Sequence, residues 1–199
     1  PQTPLFDKSG SLYGIDLASS AIRKQDMAVI VEGYMDVIIA HQNSFANVVA
    51  SMGTAITDKQ VNTLKRLTGN LALALDADSA GEEAMLRCIT YENILDAELK
   101  VMLLPEGKDP DEVIKENPNV WQALVEKAIP VLDYTFDVVA VKLDLSTASG
   151  KSSIVRRLLP NIAEVKDVIR QGHYLQKLSR LTKISGGNLE AELRKMKGG

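Results

Sequence analysis

Short apolar runs alternate with amphipathic stretches through the first half of the chain. Four runs have the length and residue types of buried strands: residues 27–32, 47–50, 70–75 and 98–104. Three stretches between them have the helical spacing of apolar residues: 34–42, 57–67 and 79–91. Thr57 and Asp58 are typical of a helix start. This alternation predicts an α/β fold with a mainly parallel sheet and helices on both faces.

The second half has a different pattern, with no strand signal after Pro118. A helix begins at Pro118, and Pro130 is expected in the first turn of the next, which continues to about Leu143. Further helices are predicted at residues 154–163, 165–182 and 188–196. We therefore expect three parts: a lead-in segment with a short helix (1–26), an α/β unit (27–117) and a C-terminal helical bundle (118–199).

Composition narrows the classes of protein. The chain has 199 residues, 45% of them apolar, and no apolar run approaches the ~20 residues that a membrane helix needs. Cys88 is the only cysteine, which excludes an internal disulfide and a multi-cysteine zinc site, so a cytoplasmic setting is the default. The net charge of −3 argues against a free-standing nucleic-acid binder.

Acidic residues follow the predicted strands. Glu32 ends the first strand, Asp76 ends the third, and Asp78 lies two residues further on. Side chains at the carboxyl ends of parallel strands converge on one crevice, so these carboxylates are expected to meet. Asp109 and Asp111 follow the fourth strand at the same edge, and Asp36 is a possible sixth member.

So many like charges repel one another unless cations neutralise them. Oxygen ligands favour Mg²⁺ or Mn²⁺ over zinc, and two such ions can support phosphoryl or nucleotidyl transfer. Structural alternatives stay open, because Asp109 could cap a helix over residues 110–116 and Asp36 could be solvated.

Other chemically distinctive residues are interpreted as structural. Cys88 is expected to be a small core residue, and His41 and His173 have no partner at metal-binding spacing. Gly150-Lys-Ser152 resembles the end of a phosphate-binding loop but lacks the upstream glycine and strand. A set of basic residues favours a solvated face over a template contact: Lys151, Arg156, Arg157, Lys166 and Arg170.

The acidic motifs resemble a known family. Residues 31–37 (Val-Glu-Gly-Tyr-Met-Asp-Val) and 75–81 (Leu-Asp-Ala-Asp-Ser-Ala-Gly) are similar to the two halves of the Rossmann-like Toprim fold. Residues 4–14, 50–54 and 104–112 resemble bacterial DnaG-type primases specifically. The resemblance covers roughly the first 115 residues and implies a Toprim catalytic core followed by a helical bundle.

The resemblance also implies roles for individual residues. Glu32 matches the acidic residue near the reacting phosphate, acting as metal ligand or proton acceptor. Four aspartates match the positions that bind divalent ions, and a fifth matches another acidic position: Asp76, Asp78, Asp109 and Asp111, then Asp36. Lys8 matches a basic residue implicated in primer synthesis, which would contact nucleotide phosphate. Without the resemblance, a single lysine in a polar loop would be interpreted as solvated.

The expected activity is synthesis of short RNA primers on single-stranded DNA from ribonucleoside triphosphates, with two Mg²⁺ or Mn²⁺ ions and no zinc in this part of the protein. The family's zinc module, basic template-holding subdomain and helicase-contacting module are expected to lie outside this chain, so the fragment alone should be nearly inactive. The alternatives are a Toprim nuclease or topoisomerase-type domain and a catalytically silent fragment that binds metal and nucleotide. A response-regulator or phosphatase-like domain is disfavoured, because its aspartate pair would follow the first strand.

Overall fold

The computed structural model describes Asp7 and residues 9–52, 56–75, 88–89, 91–92 and 99–198. The strands are β1 (Ala28–Val31), β2 (Val48–Ala50), β3 (Leu71–Leu75), β4 (Leu99–Leu103) and β5 (Ile129–Pro130). The helices are α1 (Ile15–Gln25), α2 (Tyr34–Gln42), α3 (Asp58–Lys65), α4 (Pro110–Glu116), α5 (Pro118–Glu126), α6 (Val131–Val141), α7 (Ala148–Glu164), α8 (Val168–Thr182) and α9 (Gly186–Gly198). Most of the helix predicted at 79–91 lies outside the described residues, although 88–89 and 91–92 are helical.

The strands form one sheet in the order β2-β1-β3-β4-β5. β1 pairs in parallel with β2 on one side and β3 on the other, and β4 extends the parallel sheet beyond β3. The prediction of a mainly parallel α/β fold is therefore confirmed. After β2 the chain crosses back over β1 to form β3, so strand order reverses between β1 and β3. A crevice at such a switch point is the usual ligand site of an open α/β sheet.

Strict alternation of side chains explains why β1 is apolar along its whole length. Ala28 and Ile30 enter the core on one face of the sheet, while Val29 and Val31 enter the core on the other. The Val29 face is covered by α2, α4 and α5, with Trp121 fully buried among them. The Ile30 face is covered by α1, α3 and the helices α6 to α9.

Within the described ranges, no helix is long and apolar enough to span a membrane.

Polar side chains fix several helix starts. Thr57 is the N-cap of α3, as predicted: its Oγ1 accepts the Gln60 N–H at 3.2 Å, and the Gln60 side chain accepts the Thr57 N–H at 3.0 Å. Asp167 caps α8 by accepting the N–H groups of Ile169 and Arg170. These caps satisfy backbone donors that a helix leaves unpaired in its first turn.

The expectation of no strand after Pro118 is wrong. β5 pairs antiparallel with β4, with Val101 opposite Ile129 and Lys100 opposite Pro130. Pro130 therefore ends an edge strand and is the N-cap of α6, instead of lying in its first turn. Proline is tolerated there because an edge strand need not donate on its outer side, and two residues are too few to show alternation.

The division of the chain at residue 117 stays a prediction. Helix α5 follows that boundary, yet its Trp121 packs in the same core as α2 and α4. Helices α6 to α9 share the core on the opposite face with residues of β1, β3 and β4. Any unit formed by the C-terminal helices therefore packs directly against the sheet.

The first turn of α7 has no room for a side chain at Gly150, so a substitution there is expected to lower stability. A Cβ at Gly150 would lie 1.9 Å from the Asp144 carbonyl oxygen, whereas a Cβ at Gly172 in α8 would meet nothing within 4 Å. We expect Gly150→Ala to lower the free energy of unfolding by roughly 1–3 kcal/mol, because the backbone must move to relieve the overlap. Gly172→Ala should be neutral or stabilising by up to about 1 kcal/mol. Urea titration measures both, and equal effects would contradict this account.

Candidate active site

The carboxyl ends of β1 and β3 open into a cleft of about 200 Å³ at the switch point of the sheet. It is lined by Glu32, Gly33, Asp36, Ala74, Asp109 and Pro110. Because parallel strands end at the same edge of a sheet, acidic residues from distant parts of the sequence are expected to meet here. The structure brings Glu32, Asp36 and Asp109 together in this way.

Glu32 directly follows β1 and is exposed at the cleft. Gly33 is the extended N-cap of α2, so the chain turns into the helix immediately after Glu32. A Cβ at Gly33 would lie 2.9 Å from Asp36 Oδ2, so any larger residue here would displace the Asp36 carboxylate. This close approach explains why glycine follows Glu32.

Asp36 is buried, with 8% of its surface exposed, so the alternative that it is solvated is wrong. Its Oδ2 accepts the Gly33 N–H at 2.9 Å, and its Oδ1 accepts the Asp111 N–H at 3.2 Å. Burial raises the pKa of the Asp36 carboxyl, while the two N–H groups oppose that rise. The residue therefore joins the N-termini of α2 and α4 at the edge of the cleft.

Asp109 and Asp111 lie at the start of α4, one on each side of Pro110. Asp109 is the N-cap, as the structural alternative anticipated, and its N–H donates to Glu112 Oε2 at 3.2 Å. It also lines the cleft, so capping does not remove it from the candidate site.

Lys115 is a neighbour of the site that the sequence argument missed. Its ammonium group lies 2.5 Å from Asp111 Oδ2, one helical turn away. An i,i+4 pair of opposite charges within α4 is the signal that could have found it. Lys115 therefore neutralises part of the negative charge of Asp111, one of the predicted metal ligands.

Three predicted site residues, Asp76, Asp78 and Lys8, lie outside the described residues. Among all the residues that the structure describes, no three His, Cys, Asp or Glu side chains form a cluster able to hold a metal ion. The carboxylates of the cleft are nevertheless oxygen donors, which suits a hard divalent cation.

The structure also agrees with the structural interpretation of four other residues: His41, His173, Cys88 and Gly150. His41 Nε2 donates to the Val48 carbonyl at 2.9 Å, which ties α2 to β2, and His173 is exposed. Cys88 is buried in the core beneath the Ile30 face of the sheet, as predicted. Gly150 lies in the first turn of α7, where its N–H is bonded to Thr147 Oγ1.

Comparison with known families identifies the class of protein. Residues 29–114 match the family described as Toprim-like. This range contains all of β1 except Ala28, strands β2 to β4 and the residues that line the cleft. The mixed, mostly parallel sheet with its strand-end carboxylates is therefore a Toprim fold.

Similar proteins specify the family further. The chain is 35% identical to the DNA primase of Clostridium acetobutylicum over 185 residues, which is 92% of this chain and 31% of that protein. It superposes on the crystal structure of a DNA primase domain from Pseudomonas aeruginosa with a TM-score of 0.84 at 30% identity, covering 98% of this chain and 62% of that one. A DnaG primase catalytic domain bound to single-stranded DNA gives a TM-score of 0.81 at 30% identity, covering 90% and 59%.

The chain belongs to the DnaG-type DNA primases and contains their Toprim domain. Toprim domains of primases depend on divalent metal ions. The chain spans about a third of the length of the curated relatives it matches.

One expectation about the helical tail needs correction. Residues 132–186 match the family described as the DnaB-helicase binding domain of primase. The helicase-contacting module was expected to lie outside this chain, and this match is evidence against that expectation. The amphipathic helices α6 to α8 carry no short motif that reveals the match, because their pattern is that of any packed bundle.

Proposed function

We propose that the full-length protein synthesises short RNA primers on single-stranded DNA by metal-dependent nucleotidyl transfer. The observation that carries this proposal is the cleft at the switch point, where Glu32 and Asp109 meet in a chain of the primase family. A related catalytic domain has been solved with single-stranded DNA, which supports that template. Ribonucleoside triphosphates are the substrates that primer synthesis requires. We also propose a cytoplasmic setting, which membership of a replication primase family supports.

The carboxylates would hold two Mg²⁺ or Mn²⁺ ions. Bound there, the ions would neutralise charge on the triphosphate and on the attacking and leaving oxygens. The proposed ligands are Asp76, Asp78, Asp109 and Asp111. Glu32 is a further ligand or the proton acceptor for the attacking hydroxyl. Lys8 would hold a nucleotide phosphate.

Template binding requires positive charge that this chain does not supply in excess. Its net charge is −3, whereas single-strand binding grooves are generally basic. We therefore propose that other parts of the full-length protein hold the template. The isolated chain is then expected to bind metal and nucleotide but to make little primer.

The metal proposal is tested by calorimetric titration of the full-length protein with Mn²⁺. We expect Asp76→Asn and Asp109→Asn each to weaken binding by at least about 10-fold, because each removes a charged oxygen ligand. Glu126→Gln is the matched control, since Glu126 is exposed on α5 and does not line the cleft. Unchanged affinity in both aspartate variants would refute the assignment.

The catalytic proposal is tested by primer synthesis on single-stranded DNA. In the full-length protein, Glu32→Gln should lower the rate by about 10²-fold or more, since a charge that acts on the transferred phosphate is lost. Glu164→Gln should keep the normal rate, because Glu164 ends α7, which packs on the opposite face of the sheet. A normal rate in Glu32→Gln would show that the site is misassigned. A fully active isolated chain would refute only the proposed need for other parts.

We also propose that residues 132–186 contact the replicative helicase, on the basis of their family match. Val168 and Ile169 start α8 with 80% and 84% of their surfaces exposed, which suits an apolar contact. Replacing both with serine should weaken binding of the full-length protein to helicase by about 10-fold or more. Leu17→Ser is the control, because Leu17 is 72% exposed on α1, outside the matched segment. Equal affinities for all three proteins would argue against this surface.

A further inference from the structure

Asp36 forms a polar connection between two helices that carry site residues. Its two carboxylate oxygens accept N–H groups from Gly33 and Asp111, at 2.9 and 3.2 Å. The first bond lies within the start of α2, while the second reaches 75 positions along the sequence to the start of α4. Since the carboxylate is buried, water competes poorly for these donors.

Both donors belong to backbone that positions a proposed ligand. Gly33 directly follows Glu32, and the Asp111 N–H lies two residues after Asp109. Below Asp36, α2 and α4 pack through apolar side chains, including Val37 and Val113. Apolar packing holds the helices side by side, but it does not fix how far one start lies from the other. The Asp36 carboxylate supplies that constraint at the edge of the cleft.

We propose that Asp36 is a positioning residue that sets the spacing between Glu32 and the aspartates of α4, and that it is not itself a metal ligand. A move of the carboxylate to ligate an ion would leave two backbone donors unpaired, which is costly away from water. Asparagine could not replace it, because an amide has one acceptor oxygen and would turn its NH₂ group towards the second donor. The consequence for metal binding rests on the proposed function, while the connection itself does not.

The connection is tested first by amide hydrogen exchange in the metal-free, full-length protein. We expect the Gly33 and Asp111 amides to be protected, and Asp36→Asn to speed exchange of at least one of them by about 10-fold. Glu112→Gln is the matched control: it also changes a capping carboxylate to an amide at the third position of a helix, but it acts within α4 alone. An unprotected Asp111 amide in the unmodified protein would overturn the proposal.

Adding saturating Mg²⁺ to the unmodified protein separates positioning from ligation and needs no variant. A positioning role predicts that both amides stay protected when the ion binds. If Asp36 turned to ligate the ion, the Gly33 and Asp111 amides would be released and would exchange faster. Faster exchange with Mg²⁺ would therefore refute the proposal.

Metal dependence of primer synthesis supplies the functional measurement. Asp36→Asn should raise the metal concentration for half-maximal rate by about 10-fold, and saturating metal should restore most of the rate. A loss of rate that saturating metal does not restore would contradict a positioning role. If Glu32→Gln were fully active, the proposed function would be wrong. The connection made by Asp36 would still be tested independently by amide exchange in the metal-free protein.

Discussion

The parallel pairing of β1 with β3 is the constraint on which the site depends. Ala28 pairs with Leu71 and Ile30 with Leu73, so the two strands end near the same level of the sheet. Side chains alternate across both strands, and a slip of one residue would exchange the residues of the two cores. The apolar residues on each face thus hold the register, and the register determines where Glu32 leaves the sheet.

The second half of the site reaches the cleft through packing on one face only. Helix α4 docks against α2 through the core that surrounds Trp121, and this brings Asp109 beside Glu32. The apolar contact is generic, since side chains of similar volume would serve almost as well. The Asp36 carboxylate is specific, because it requires two backbone donors in a fixed arrangement. Stability and site geometry therefore arise from neighbouring but different interactions of α2.

Sequence patterns predicted the parts of the fold in which burial has a regular period. β1 to β4, α2 and the start of α3 agree with prediction to within one or two residues, because their apolar positions follow the expected spacing. Helix α7 begins at Ala148, six residues before its predicted start, because the Thr147 cap and Gly150 form a polar first turn that lacks apolar spacing. The partner of Asp36 could not be predicted, since a backbone N–H leaves no mark in the sequence.

Two basic residues of the helical tail, Arg170 and Lys177, form ion pairs within the protein. Arg170 bonds to both oxygens of Glu92, which also accepts the Leu99 N–H at the start of β4. Lys177 pairs with Asp133 at 2.6 Å, which joins α8 to α6. These side chains use part of their charge to hold helices against the sheet and against each other. A count of basic residues therefore overstates the positive charge that the tail has available for a phosphate backbone. This agrees with the proposal that other parts of the full-length protein hold the template.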